Sequence, residues 1–107
     1  MANAYKSIYR VNPSAATLTS SSALGAATII SCVNVANRSA TATSFRIAFS
    51  PTGAGVADED YFWYDIAIAG NDSFQSVAGI SLQSGAIIRV YATLATLSFN
   101  FNGVEIT

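Results

Sequence analysis

The sequence predicts an all-β chain of about eight strands, arranged as a single antiparallel β-sandwich or barrel. Three observations support this. No stretch of ten or more residues keeps an apolar stripe at helical spacing. Short runs with a period of two recur instead, which suits half-buried strands. Clusters of Gly, Pro, Asn, Asp and Ser interrupt them about every ten residues, the spacing of all-β domains. At 107 residues the chain fits one domain, 1–107, with a modest single core. It contains no linker and no internal repeat.

Strands are expected near 5–11, 16–23, 27–36, 43–50, 60–68, 73–78, 86–92 and 95–106. The first ends at "VNPSAA", where Pro13 separates it from a Ser/Thr-rich second run. The third contains "TIISCVNV", in which Cys32 reads as a small buried hydrophobe. As the only cysteine, it allows no internal disulfide and no multi-cysteine metal site. In the fourth, "SFRIAFS", Phe45, Ile47 and Phe49 share one face, with Arg46 and Ala48 on the other. "SPTGAG" then breaks the strand with Pro51, Gly53 and Gly55. "AGNDS" at 69–73 reads as a tight hairpin turn, and "LQSGA" at 82–86 as another turn. In the last strand Leu97, Phe99 and Phe101 alternate with Ser98, Asn100 and Asn102. Beyond Gly103 the apolar residues are Val104 and Ile106, so a bulge or kink is expected at that glycine.

The fifth strand holds the richest chemistry. "DEDYFWYDI", 58–66, carries four of the six acidic residues and four consecutive aromatics. Strict alternation would place Phe62, Tyr64, Ile66 and Ile68 toward the core and Tyr61, Trp63, Asp65 and Ala67 outward. Tyr61, Trp63 and Asp65 are therefore candidate protein-contact residues, because Tyr and Trp bury large area while keeping a polar tip. The same face would also suit a sugar platform, and Trp63 could equally cap a sheet edge. Three adjacent acids, Asp58, Glu59 and Asp60, fit Ca²⁺ poorly because consecutive side chains diverge in an extended segment. A solvated loop rim is expected there. Glu105 could pair with Arg10 or Lys6.

Composition excludes several functions. Charged residues are 10%, mean hydropathy is +0.41, and Ala, Ser and Thr fill 42 of 107 positions. Such a surface, polar without charge, loses little desolvation energy when another protein covers it. Five cations and a net charge of -1 provide no cluster for nucleic acid or an anionic membrane. Without histidine there is no Ser-His-Asp or Cys-His arrangement. No enzymatic activity, cofactor or metal is expected. "NRS" at 37–39 and "NDS" at 71–73 match glycosylation sequons by chance. "MANAYKSIYR" has no hydrophobic signal core, and the apolar runs fall short of the ~18 residues that span a bilayer. Synthesis in a cytosol, without an export route of its own, is expected.

The segments "YKSIYRVNPSAATLT", "IISCVNVANRSATATSFRIAFSPTGAG", "YDIAIAGNDSF", "GISLQSGAIIRVYA" and "ATLSFNFNGVEIT" resemble small virion structural proteins of tailed bacteriophages, especially cyanobacterial and marine ones. The resemblance runs over nearly the whole chain; "ANRSATATSFRIA" (36–48) and "SFNFNGVEIT" (98–107) are its most specific parts. It implies an immunoglobulin-like sandwich and a non-enzymatic place in the virion after synthesis in the host cytoplasm. It transfers no catalytic residues. A capsid decoration or cement subunit leads, followed by a tail, baseplate or fibre component, and then a carbohydrate-binding adhesin module. Expected partners are other virion proteins and further copies of the chain. A trimer would match capsid three-fold positions, with the short N-terminal segment available for assembly contacts. "DEDYFWYD" departs from the shared pattern.

Overall fold

The computed structural model describes residues 3–53 and 55–106. The described residues form eight strands: β1 (Asn3–Val11), β2 (Thr19–Ser20), β3 (Ala27–Asn37), β4 (Thr43–Ser50), β5 (Tyr61–Ile68), β6 (Ser73–Leu82), β7 (Ile87–Ala92) and β8 (Leu97–Ile106). A short 3-10 turn, Asp58–Asp60, precedes β5. The Ser/Thr-rich second run keeps only two residues in a strand, whereas β6 runs on to Leu82.

The strands form two antiparallel sheets, β1-β8-β3-β6 (sheet 1) and β2-β7-β4-β5 (sheet 2). Their pairing is nested. β4 pairs with β5, β3 with β6, β2 with β7 and β1 with β8. The chain is thus one long ribbon of paired strands, rolled so that β3 also meets β8 and β4 meets β7. This order differs from the immunoglobulin-like expectation. Constant-type immunoglobulin domains place the first, second, fourth and fifth strands in one sheet. Here the first strand lies beside the last, and its sheet holds β1, β3, β6 and β8. Alternation specifies which face is buried, but it does not specify the neighbour.

The inner faces of the two sheets share one hydrophobic cluster. Ile30, Val33, Val35, Phe99 and Phe101 enter from sheet 1, and Phe45, Ile47, Phe49, Ile88 and Val90 from sheet 2. Phe45 meets Phe99 edge-on with centroids 5.9 Å apart, and Phe49 meets Phe101 at 6.0 Å. Each fully buried Phe, Ile or Val contributes about 1.5–3 kcal/mol of transfer energy. The faces predicted for β4 and for the first half of β8 are those observed.

The bulge expected at Gly103 lies across the ladder instead. β8 keeps its alternation through Gly103, which is buried, while β3 inserts Ser31 between Ile30 and Cys32. A Cβ on Gly103 would strike the Ile29 carbonyl oxygen, so glycine there admits the bulged neighbour. The insertion also reverses parity along β3. Ile30 and Val33 both face the core, while Cys32 is only half-buried and receives a Gln75 Nε2–H contact at 3.7 Å. Cys32 is therefore not the core hydrophobe expected.

At one end of the molecule, Asn37 ties three loops together. Its Nδ2 donates to Thr41 O (2.8 Å) and Ala69 O (3.2 Å), and its Oδ1 accepts from Ser39 N and Thr96 Oγ1. The Asn37 N–H donates to Asp72 O. The side chain is buried and its amide is engaged. The "AGNDS" turn is no hairpin: β5 and β6 belong to different sheets, and residues 69–72 cross between them. Gly70 is required there, because a Cβ would collide with the Ala40 backbone, and Asn71 takes φ 54°. Lys6, not Arg10, pairs with Glu105, at 3.2 Å. β1, which includes most of the N-terminal segment expected to make assembly contacts, is an edge strand of sheet 1; residues 1 and 2 lie outside the described residues.

Candidate functional site

The candidate site is the outer face of sheet 2, and the backbone of β5 builds it. The eight residues Tyr61–Ile68 lie against only six of β4, from Thr43↔Ile68 to Ala48↔Tyr61. Two residues are therefore surplus, and the register shifts twice. One shift sits at Tyr64 and Asp65, which together oppose Arg46; Asp65 takes φ 51°. Asp tolerates that left-handed conformation better than most residues. The other shift falls at Phe62, between Tyr61 and Trp63.

These bulges overturn the strict alternation expected of β5. Trp63 lies opposite buried Ile47 and packs on the core, 5.8 Å from Phe74. It does not face outward. Phe62 and Tyr64, expected inside, are 53% and 55% exposed. Phe62 still touches Phe49 edge-on at 4.9 Å, over a shallow hollow lined also by Pro51, Leu82 and Gln83. Beyond the bulge the expectation holds again, with Ile68 buried and Ile66 packed on the core. Of the three candidate contact residues, Asp65 is exposed, Tyr61 is half-buried and Trp63 belongs to the core side.

The outer face gathers residues from three strands. The Arg46 guanidinium lies 4.3 Å from the Tyr64 ring centroid and 4.6 Å from that of Tyr91. It donates to Asp65 from Nε (2.6 Å) and Nη2 (3.4 Å). The hydrogen bond to Asp65 is the main cause holding the Arg46 pKa above its ordinary value. So exposed an ion pair adds little net stability; its effect is geometric, fixing the cation between two rings. Tyr61 meets Tyr64 at a right angle with centroids 5.1 Å apart, and Asp58 joins both around a shallow concavity.

A second polar network fixes the turn that precedes these rings. Asp60 is only 8% exposed. Its Oδ2 accepts from Ala57 N (2.9 Å) and from Ser50 Oγ (3.3 Å). Ser50 Oγ accepts in turn from Arg89 Nε at 2.8 Å, and Arg89 Nη1 donates to Ser20 Oγ at 2.9 Å. The chain of bonds runs from β2 across β7 and β4 to the turn. Only Asp58 and Glu59 of the "DED" run are exposed, so the solvated rim expected there stops short of Asp60. Among the described residues, no group of three His, Cys, Asp or Glu side chains could hold a metal ion. No helix among them is long and apolar enough to cross a membrane.

Sequence reasoning missed Tyr64, Tyr91 and Arg46 as one cluster. The available signal was Asp65 itself, a residue of low strand propensity ending an aromatic run, where a bulge is cheapest. No model of a known protein family matches the chain, and a comparison with curated proteins finds no match.

Proposed function

We propose that the chain is a non-enzymatic structural subunit of a tailed-phage virion, folded as a jelly-roll sandwich and attached to the capsid as a decoration or cement protein. The observation that carries this reading is the aromatic face of sheet 2. Tyr64 and Tyr91 are held against Arg46 before any partner arrives, which lowers the entropy cost of covering them. The scarcity of charge supports it, because few groups would need desolvation. Nested pairing of eight strands is the order of a jelly roll, an architecture of viral coat and lectin domains; that support is fold analogy. In this role each copy buries a modest area and symmetry multiplies the effect.

Protein quantification in purified particles tests the assignment. Decoration requires on the order of hundreds of copies, multiplied by capsid symmetry. Retention with isolated tails after capsids are removed would place the chain in the tail, baseplate or fibre instead. Tyr64→Ala should weaken attachment to particles at least about tenfold while leaving the subunit folded, the loss expected of a central aromatic contact. Unchanged attachment would remove this face from the interface.

One observation favours a second reading, a carbohydrate-binding adhesin. The concavity bounded by Asp58, Tyr61 and Tyr64 offers the exposed Tyr64 ring beside the half-buried Tyr61 for a sugar face, and a carboxylate for its hydroxyls. Under that reading the same Tyr64→Ala substitution abolishes binding to host cells or glycans and leaves particle attachment intact.

A further inference from the structure

The four sheet edges are not equally protected. β1 carries Lys6 and Arg10 and a register shift between Ser7 and Tyr9. β2 is two residues long. β5 is bent by its two shifts and carries Asp65 at positive φ. Such features keep an edge from accepting a foreign strand. β6 differs. It runs for ten residues, "SFQSVAGISL", with no charge and no proline, and pairs only with β3. Its irregularity, Ala78 and Gly79 opposite Ser31, leaves the half Ser73–Val77 in regular register with Val33–Ala36 and Cys32. Val77, at the end of that half, is 86% exposed, the highest value among the exposed large apolar side chains of the described residues.

We propose that the Ser73–Val77 edge of β6 pairs antiparallel with the same edge of a second copy, about a two-fold axis at Gln75. An edge strand offers a row of free N–H and C=O groups, and only another extended backbone satisfies them in register. A two-fold pair sets each residue against its own kind or a near neighbour: Gln75 against Gln75, Phe74 against Ser76, Ser73 against Val77. A charge near the axis would face its own copy, and this segment has none. Pairing β6 with the β1 edge of a neighbour would instead bring Lys6 and Arg10 against a strand with no complementary acid. The result is a continuous eight-stranded sheet through two subunits. Five residues a side make a small interface, below the size of a standard stable complex, so the dimer is a micromolar one. The pairing is independent of the virion reading and leaves the outer face of sheet 2 free.

Sedimentation equilibrium of the purified full chain, from about 1 µM to 1 mM to bracket that range, tests it. The wild type should show a monomer–dimer equilibrium. Gln75→Lys, which places two ammonium groups opposite each other on the axis, should raise the dissociation constant by about tenfold or more. Val77→Lys should act in the same direction. Both positions are exposed, and circular dichroism and melting confirm that each variant folds. Gln75→Cys in a Cys32→Ser background should cross-link as a dimer on mild oxidation, because residues facing each other across the axis lie within disulfide reach. A monomeric wild type throughout the range, a trimer, or folded lysine variants that dimerise as tightly as the wild type would each overturn the pairing.

Discussion

β8 and β5 both carry aromatic residues in a run read with a period of two, yet of the pair only β8 obeys its pattern. β8 is central, paired with β1 on one side and β3 on the other, and Leu97, Phe99 and Phe101 all reach the core. The extra residues in its two ladders lie on its neighbours, Ile8 on β1 and Ser31 on β3. β5 is an edge strand with one ladder, and two surplus residues bend it. Two ladders do not by themselves secure a period of two, since β3 is also paired on both sides and still bulges at Ser31. β8 keeps its period because Leu97, Phe99 and Phe101 already place their side chains on the buried face. At an edge, side chains such as Trp63 choose the buried face and the backbone bulges to permit it.

Truncations give the sharpest way to break this comparison. Phe101→Ala should cost about 3–5 kcal/mol and Trp63→Ala about 2–4, since each removes a ring packed on the core. Tyr64→Ala should cost under about 1 kcal/mol, as a change at an exposed site. Urea titration of the three variants checks the ranking. A larger loss from Tyr64→Ala than from Trp63→Ala would restore strict alternation in β5 and refute the bulges.

A smaller effect tests the bulge itself. Asp65→Val forces a β-branched residue into positive φ and should destabilise by about 1–3 kcal/mol. Asp65→Asn keeps the backbone tolerance and loses only an exposed ion pair, so its midpoint should stay close to wild type. Equal midpoints for both variants would mean that Asp65 sits in ordinary strand geometry.

The smallest effect belongs to Tyr9, whose ring stacks on Phe101 at 6.1 Å and whose phenol pKa is raised by burial. The folded state then holds the phenolic proton more tightly than the unfolded state. The resulting stability is fully present below pH ~10 and is lost as pH rises through the higher folded value. Melting curves from pH 7 to 11, the range that spans a phenol's titration, should therefore fall more steeply above pH 10 for the wild type than for Tyr9→Phe. Parallel curves would place the phenol in water.

The all-β class and the inner faces of β4 and β8 were legible because Phe45, Ile47, Phe49, Leu97, Phe99 and Phe101 alternate without interruption. The side chains of "YFWYD" were legible as surface chemistry, but their directions were not. A bulge adds one backbone residue and leaves only a faint mark in composition: Gly103 opposite one and Asp65 within another. Partner choice was silent for a different reason. β1 meets β8 through backbone groups that every residue shares, and the first-to-last order of sheet 1 is set by how the ribbon rolls. In the sequence Asn37 stands out only as part of a sequon, since nothing local reveals that its amide will bridge loops from residues 41, 69 and 96.

That first-to-last pairing has a practical consequence for labelling. Asn3 lies opposite Ile106, so dyes attached at these two positions sit side by side on neighbouring strands of sheet 1. Three inter-strand steps separate β1 from β6 in the order β1-β8-β3-β6, about 14 Å at the usual spacing. A short probe at Asn3 therefore stays clear of the strand on which a second copy would add.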